Sequence, residues 1–218
     1  MEEVKQGHLR VRWSLPNPPP VAIIIPTRNF RHLLEVAVES VLARTDYPNF
    51  RLVIVDNDSN EESTLDYLAS LQAQGKADVL RIPGPFNYSL LNNRAVAACT
   101  EPVVCLLNND IEIHERDWLR EMVSQAVRPG VGAVGTKLYY PDGRIQHAGV
   151  ILGMGGQPGI FLRDVTAAMS PTGGGFTFVR ISLLSRPLVW WWSAASIWRW
   201  VDWMRATSRW PSTTSISV

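Results

Sequence analysis

The chain has 218 residues, of which 46% are hydrophobic and 19% charged, a composition that excludes an intrinsically disordered protein. Lysine and arginine number 21 and aspartate and glutamate 20, so the net charge of +1 gives no electrostatic reason to expect a nucleic-acid partner. The acidic N-terminus lacks the apolar segment of a secretory signal, and no apolar run approaches the about 18 residues of a membrane span. Cys99 and Cys105 have no metal-binding or redox spacing and are predicted to be buried thiols, which agrees with a cytoplasmic protein.

The predicted elements begin after a proline-rich extension or linker that covers residues 1–20. Val21–Pro26 is an uninterrupted apolar run, which is typical of a strand buried on both faces. A helical pattern follows, and the same alternation repeats along the chain. The further predicted strands cover 51–55, 77–84, 103–107 and 131–140, the predicted helices cover 31–45, 65–71, 89–99 and 115–127, and a Pro-Asp-Gly-Arg turn covers 141–144.

This alternation of strands and helices predicts an α/β fold with a mostly parallel sheet and helices on both faces. Ligands of such sheets bind beyond the carboxyl ends of the strands. The candidate site therefore consists of the polar segments that directly follow three strands, Pro26–Asn29, Asp56–Ser59 and Asn108–Asp110.

Asp56 and Asp58 follow a strand at a place where a carboxylate can accept hydrogen bonds from a nucleotide base or ribose. An alternative is that this segment starts a helix, with Ser59 or Asn60 as the N-cap ahead of two glutamates. The two interpretations are compatible because different residues carry them.

Asn108 and Asp110 close another apolar strand, and their oxygen atoms suit Mg²⁺ or Mn²⁺. Proteins hold these ions through one or two carboxylates together with substrate phosphates. Asp110 is the stronger candidate because it is charged. On spacing alone, a polar turn that ends a strand is an equal alternative.

Residues Gly130–Gly135 match the dinucleotide-binding pattern G-x-G-x-x-G. That pattern binds a pyrophosphate only between a strand and a helix. Here it follows a predicted helix and leads into a predicted strand, so we interpret it as a chance match.

Five segments in chain order resemble the family-2 inverting glycosyltransferases of GT-A fold, in the branch of rhamnosyl- and glycan-polymer transferases: VAIIIPTRN, RLVIVDNDS, FNYSLLNNRAV, VVCLLNNDIEI and GRIQHAGVILG. The resemblance predicts a nucleotide-sugar-binding domain over residues 21–156. It implies transfer of a sugar, with inversion, from a nucleotide-diphospho-sugar donor to a glycan or lipid-linked acceptor. It also implies Mg²⁺ or Mn²⁺, which neutralises the departing nucleoside diphosphate.

The resemblance further implies roles for individual residues. Asp110, with Asn108, would hold the metal ion. Arg94 would meet a phosphate from a helix whose start faces the donor, and His147 would lie beside the donor sugar; the alternatives are a surface arginine and a structural histidine. The full set of implied donor contacts is Pro26, Thr27, Asn29, Asp56, Asp58, Asn93, Arg94 and His147.

The segment 157–218 departs from that family. Seven of the nine tryptophans lie between Trp190 and Trp210. The family's general base is an aspartate in an N-D-x-D pattern, and this pattern is missing here. Asp164 and Asp202 are the only acidic residues from residue 160 onward. Tryptophan has a single codon, TGG. In a shifted reading frame that joins the last base of each codon to the first two bases of the next, some of the encoded residues are therefore fixed. In that shifted frame the codons of Trp203 and Met204, for example, encode an aspartate. The residues fixed in this way occur in the same order as in the missing segment of the family. We hypothesise a frameshift between Gly156 and Phe176, with residues 157–218 as an out-of-frame or disordered tail.

Two alternatives concern the whole chain. Tryptophan favours membrane interfaces, and three arginines lie near the tryptophans of the tail. The tail is therefore alternatively a membrane-surface segment, and the chain a non-catalytic module that binds a nucleotide-sugar. The sequence contains no transmembrane segment. A nucleotidylyltransferase is disfavoured because the segment after the first strand has no glycine- and lysine-rich loop.

Overall fold

The computed structural model describes the backbone of residues 2–5, 8–147, 150–154, 157–160 and 190–193, and the side chains of residues 11–147. The strands in these ranges are β1 (Glu2–Lys5), β2 (His8–Arg10), β3 (Val21–Thr27), β4 (Phe50–Asp56), β5 (Asp78–Arg81), β6 (Val103–Leu106), β7 (Ala133–Gly135), β8 (Leu138–Tyr139), β9 (Ile145–His147), β10 (Val150–Met154), β11 (Gln157–Ile160) and β12 (Trp190–Ser193). The helices are α1 (Arg31–Arg44), α2 (Glu62–Ala73), α3 (Tyr88–Ala97) and α4 (Trp118–Ala126).

A six-stranded sheet with the strand order β5-β4-β3-β6-β12-β7 forms the centre of the fold. Its first four strands are parallel, and β12 is antiparallel to both β6 and β7. β3 and β4 pair over seven residues, from Val21 opposite Phe50 to Thr27 opposite Asp56, and every residue of β3 is buried. Burial on both faces explains why β3 is apolar almost throughout instead of alternating. The predicted α/β fold with a mostly parallel sheet is confirmed.

Two apolar layers cover the two faces of this sheet. Side chains alternate across a strand, so Ile23 and Ile25 face one layer whereas Ala22 and Ile24 face the other. Helices α1, α2 and α4 supply the first layer, and α3 covers the second face with residues such as Leu91. The predicted arrangement of helices on both faces is therefore confirmed, with the helices divided three to one.

Two element boundaries differ from the sequence prediction. α4 begins at Trp118 instead of residue 115, since the carbonyl of Arg116 accepts the N–H of Asp46 outside the helix. The predicted strand 131–140 is two strands: β7 stays in the central sheet, while β8 pairs with β9 across a turn in which Gly143 has a φ of 81°. The turn at 141–144 is confirmed, and the G-x-G-x-x-G segment follows α4 and ends in β7, as expected of a chance match.

The segments that flank the predicted domain contribute strands of their own. β1 and β2 form a hairpin in the N-terminal extension, and Leu15 packs against the core. β11 pairs with β10, and β12 occupies the place between β6 and β7. The other residues of 157–218 lie outside the described residues, so the hypothesis of an out-of-frame or disordered tail stays a prediction.

Both cysteines are free; Cys105 is buried and Cys99 half-buried, and burial raises the pKa of each thiol. The longest helix in the described ranges, α1, has 14 residues, and none of the four reaches the length and hydropathy that a bilayer-crossing helix requires.

Candidate functional site

The carboxyl ends of β5, β4, β3 and β6 lie side by side because these strands are parallel and adjacent. Thr27 at the end of β3 lies opposite Asp56 of β4, which lies opposite Arg81 of β5. The N–H of Asn57 donates to the carbonyl of Thr27 at 2.8 Å, and the N–H of Ile82 donates to the carbonyl of Asp56 at 2.8 Å. The edge of the sheet therefore presents a hydroxyl, a carboxylate and a guanidinium in one row.

Asp56 is a buried carboxylate that the protein itself satisfies. Its Oδ1 accepts the N–H of Ser59 at 3.0 Å, and its Oδ2 lies 3.5 Å from the guanidinium of Arg81. The side chain of Asp56 is 2% exposed, whereas those of Arg81 and Asp58 are 51% and 47% exposed. An unpaired buried carboxylate costs several kcal/mol, so these partners are what allow Asp56 to remain at the strand end.

Arg81 links Asp56 and Asp58, the two carboxylates for which the sequence predicts contact with a nucleotide. Its guanidinium lies 3.2 Å from Oδ1 of Asp58 as well as near Asp56, and it also donates to the carbonyl of Ser59 at 3.3 Å. The sequence analysis missed Arg81. The signal that was available is its position in the second half of the next predicted strand, 77–84, although the sequence alone does not establish that β5 lies beside β4.

Asn29 joins the loop after β3 to the loop after β4. Its Oδ1 accepts the N–H groups of Asn60 at 2.9 Å and Glu61 at 3.2 Å, and its Nδ2 donates to Oδ1 of Asn60 at 2.9 Å. Its backbone N–H donates to Oγ of Ser59 at 2.8 Å. The side-chain oxygen has thus used its two acceptor positions within the protein. Asn29 therefore links the two loops, and its predicted contact with the donor stays a prediction.

The same contacts correct the prediction of the α2 N-cap. The N-cap is Glu61, with a φ of −76° and a ψ of 121°, whereas the alternative interpretation of the sequence assigned Ser59 or Asn60. The side chains of both predicted residues instead contact Asn29. Oε2 of Glu61 accepts the N–H of Phe30 at 3.2 Å and the hydroxyl of Thr64 at 3.1 Å, which adds a further connection between the two loops.

These loops also hold strained backbone. In the part of the chain that the structure describes, the non-glycine residues with positive φ are Asn29 at 58°, Phe30 at 54° and Asp58 at 63°. The left-handed region costs an L-residue about 1–2 kcal/mol, although asparagine and aspartate tolerate it better than other residues. Strain of this kind is typical of functional sites and persists only where surrounding contacts enforce it.

We expect Asn29→Ala to lower the free energy of unfolding by about 2–3 kcal/mol, because it removes three side-chain hydrogen bonds and leaves alanine in the left-handed region. Asn29→Gly removes the same bonds without the strain and should cost about 1 kcal/mol less. Urea unfolding of both variants measures the difference. Equal losses would show that backbone strain contributes nothing at this position.

The segment after β6 is attached to the end of β3. Nδ2 of Asn109 donates to Oγ1 of Thr27 at 3.1 Å, and the N–H of Leu107 donates to the carbonyl of Ile24 at 2.9 Å. Asn109 lies within the predicted segment Asn108–Asp110, but its contact with Thr27 joins two distant parts of the chain and was not predicted from the sequence. Its contact brings Asn108 and Asp110 to the same edge as Asp56.

Asp110 is exposed and Asn108 half-buried at this edge. Within the described ranges, no group of three or more histidine, cysteine, aspartate or glutamate side chains could hold a metal ion by itself. One carboxylate with amide oxygens beside it nevertheless fits Mg²⁺ or Mn²⁺, which keep waters and take further ligands from phosphates.

Asn93 and Arg94 lie on α3, on the opposite face of the sheet from the other helices. The helix begins at Tyr88 with Asn87 as its N-cap, whose Oδ1 accepts the N–H of Leu90 at 3.0 Å. At about 1.5 Å of rise per residue, Arg94 lies about 9 Å along the axis from Tyr88 and belongs to the last turn. The predicted contact of Arg94 with a donor phosphate is not tested by this position and stays a prediction.

His147 is half-buried in β9, opposite Leu138 of β8. Burial lowers the pKa of its imidazole below the ordinary value of 6.5, which favours the neutral ring at pH 7. Its Nδ1 is buried and has no hydrogen-bond partner among the described residues. Strand pairing and hydrogen bonds bring together Pro26, Thr27, Asn29, Asp56, Asp58, Asn108 and Asp110. Among the described residues, no hydrogen bond joins Asn93, Arg94 or His147 to this cluster, and their contact with the donor stays a prediction.

The sheet, its helices and the carboxylates at its carboxyl edge define an α/β fold of the GT-A type. Among solved structures, this fold is similar to a mannosyltransferase of Pyrobaculum calidifontis in complex with GDP-Man and Mn²⁺, with a TM-score of 0.51 and 22% sequence identity over 61% of this chain and 40% of that one. The chain belongs to glycosyl transferase family 2, whose model matches residues 22–181. The match begins one residue after Val21 and continues past Gly156.

Two curated relatives are similar in sequence. The uncharacterized protein y4gI of Sinorhizobium fredii is 52% identical over 151 residues, and the O-antigen biosynthesis protein RfbC of Myxococcus xanthus is 42% identical over 150 residues. Each alignment covers 69% of this chain, but only 17% of y4gI and 12% of RfbC. The chain therefore spans a small part of the length of these relatives.

Proposed function

We propose that this chain binds a nucleotide-diphospho-sugar at the carboxyl edge of β5, β4, β3 and β6, with Asp110 and Asn108 holding a divalent cation against the diphosphate. The observation that carries the proposal is the hydrogen bond of 3.1 Å between Asn109 and Thr27. It attaches the candidate metal segment to the strand end beside Asp56, so that the two halves of the site are parts of one edge. The Mn²⁺ and GDP-Man bound by the similar mannosyltransferase support this choice of ligands.

Different residues of the chain would bind different parts of the donor. Asp56 and Asp58 would face the base or ribose, with Arg81 fixing both carboxylates. Asp110 would meet the cation, since its carboxylate is exposed at the edge. When bound, Mg²⁺ or Mn²⁺ would neutralise charge on the departing nucleoside diphosphate. Asn93, Arg94 and His147 stay proposed donor contacts from resemblance alone.

Transfer of the sugar, with inversion, to a glycan or lipid-linked acceptor requires in addition a base that deprotonates the acceptor hydroxyl. From residue 160 onward the sequence has only Asp164 and Asp202 as acids, and neither lies in an N-D-x-D pattern. We therefore propose that this 218-residue chain binds the donor but transfers the sugar poorly or not at all. A non-catalytic nucleotide-sugar-binding module is the second candidate, favoured by the same missing base, and sequencing the gene across residues 156–176 distinguishes a frameshift from a native tail.

Calorimetry of the full chain tests the binding proposal. GDP-, UDP- and dTDP-sugars would be titrated in the presence of Mn²⁺ and again with a chelator. We expect binding heat for at least one donor, lost when the metal is chelated, and no release of nucleoside diphosphate over hours. No heat with the whole panel would overturn the binding proposal, and rapid release that requires Asp110 would overturn the proposal of inactivity.

A further inference from the structure

The segment that follows Asp110 is attached to the second half of α1. The N–H of Ile113 donates to Oγ of Ser40 at 3.1 Å, and the carbonyl of Ile113 accepts Nη1 of Arg44 at 2.8 Å. Further along, Nε1 of Trp118 donates to Oγ1 of Thr45 at 3.0 Å. Both backbone groups of Ile113 are thus satisfied by side chains of one helix.

Ser40 is the buried part of this attachment. Its side chain belongs to a residue that is 8% exposed, and its hydroxyl donates to the carbonyl of Ala37 at 3.0 Å while accepting the N–H of Ile113. The donated bond fixes the hydroxyl proton toward α1, so the oxygen lone pairs point to the loop. Without this hydroxyl, the buried N–H of Ile113 loses its acceptor, which is costly in a region that water does not reach.

The segment between β6 and α4 is consequently fixed on both sides of Asp110. Before it, Asn109 is bonded to Thr27 at the end of β3. After it, Ile113 is bonded to Ser40 and Arg44, and its side chain is packed in the core. Asp110 itself is exposed between these two attachments.

We propose that Ser40 is a positioning residue for cation binding: it holds Ile113 so that the carboxylate of Asp110 stays at the carboxyl edge of β3. Arg44 assists from the surface through the carbonyl of Ile113. This inference rests on the proposed binding of a cation at Asp110. Residues that orient metal ligands without touching the ion typically change metal affinity by about 10–100-fold when they are replaced.

The test compares Ser40→Ala with Ser40→Thr, which keeps the hydroxyl, and with Ser124→Ala as a matched control. Ser124 is 3% exposed and donates to the carbonyl of Glu121 at 2.7 Å, so its replacement removes a similar helix hydroxyl that accepts no loop amide in the described residues. Two quantities are measured in the full chain, with the GDP-, UDP- or dTDP-sugar that gives the strongest heat in the calorimetric panel. They are the Mn²⁺ concentration that half-saturates binding of that nucleotide-sugar, and the affinity for it at saturating Mn²⁺. Hydrogen exchange of the 108–116 peptide in the metal-free protein gives a third readout.

We expect Ser40→Ala to raise the half-saturating Mn²⁺ concentration about tenfold while nucleotide affinity at saturating Mn²⁺ changes less than about twofold. Exchange at Ile113 should accelerate about tenfold, and Ser40→Thr should restore both values. Arg44→Gln, a surface change with little risk to folding, should move both quantities in the same direction. Unchanged Mn²⁺ dependence in Ser40→Ala, or an equal change in Ser124→Ala, overturns the inference.

The outcome for Asp110→Asn separates the two proposals. If that variant keeps wild-type Mn²⁺ dependence, the proposed cation site fails and the role of Ser40 fails with it. If Asp110→Asn loses the dependence while Ser40→Ala keeps it, the cation site stands and only the positioning role is overturned.

Discussion

Asp110→Asn is expected to weaken Mn²⁺-dependent binding of the nucleotide-sugar by about 100-fold or more, which is the largest effect on binding that we anticipate. The change removes the one charged candidate ligand of the cation and leaves only neutral amide oxygens in the segment 108–110. A divalent ion contributes several kcal/mol to stabilising the charge of a diphosphate, and each 1.36 kcal/mol is a factor of ten. Calorimetry at fixed Mn²⁺ measures the change.

The stability of the Asp110→Asn variant distinguishes a residue that coordinates the cation from one that supports the fold. Asp110 is exposed, so its replacement should leave the free energy of unfolding unchanged within about 0.5 kcal/mol. Asp66→Asn, an equal loss of charge at an exposed position of α2, serves as the control and should bind the donor as the wild type does. Equal weakening in both variants would attribute the effect to net charge instead of coordination.

Asp56→Asn should have the largest combined effect on stability and binding. The NH₂ group of the introduced asparagine would face the guanidinium of Arg81, so that two hydrogen-bond donors meet where a carboxylate oxygen had accepted. The side chain of Asp56 is only 2% exposed, so water cannot compensate. Replacing one member of a buried pair costs about 3–5 kcal/mol, but the half-exposed Arg81 can turn to solvent, so we expect about 2 kcal/mol. Nucleotide affinity should fall at least about tenfold, since the row from Thr27 to Arg81 is disturbed.

Asp58→Asn is the matched control for Asp56, because it removes a carboxylate from the same guanidinium at a half-exposed position. An exposed ion pair contributes about 0–1 kcal/mol, so the loss of stability should stay below about 1 kcal/mol. Denaturant unfolding and calorimetry of the two variants at one pH give both quantities. If the two substitutions cost the same free energy of unfolding, burial of Asp56 is not what makes it important.

The relation between stability and binding follows from where the site is built. The loops after β3 and β4 contain left-handed residues and are joined by the contacts of Asn29 and Glu61. Changes in those loops should affect folding first and binding second. Changes at Asp110, which lies exposed between two anchored positions, should affect binding alone.

The sequence was sufficient for the α/β class and for the edge of the sheet at which polar residues gather. Continuous apolar runs such as β3 and β4 occur where a strand is buried on both faces, and parallel strands place their carboxyl ends together. These are local patterns with a fixed period, and the candidate segments Pro26–Asn29, Asp56–Ser59 and Asn108–Asp110 followed from them.

The partners within the site depended on tertiary structure. The pairing of Arg81 with Asp56 requires β5 to lie beside β4 in a particular register, and the bond from Asn109 to Thr27 joins residues 82 positions apart. The same dependence explains why the sequence does not reveal that Asn29 joins two loops: its hydrogen-bond partners lie in the loop after β4, more than 30 residues away along the chain.

The amino-acid sequence by itself determined the apolar strands, the helices between them and the edge where chemistry is concentrated, because hydrophobic periodicity is encoded within each element. Only the tertiary structure decided which polar group meets which. It satisfied Asp56 with Arg81, used Asn29 to join two loops, placed Arg94 in the last turn of α3 and attached Ile113 to Ser40. A buried hydrogen bond depends on the distance and angle between two atoms, and these are fixed only when strands and helices from distant parts of the chain have packed.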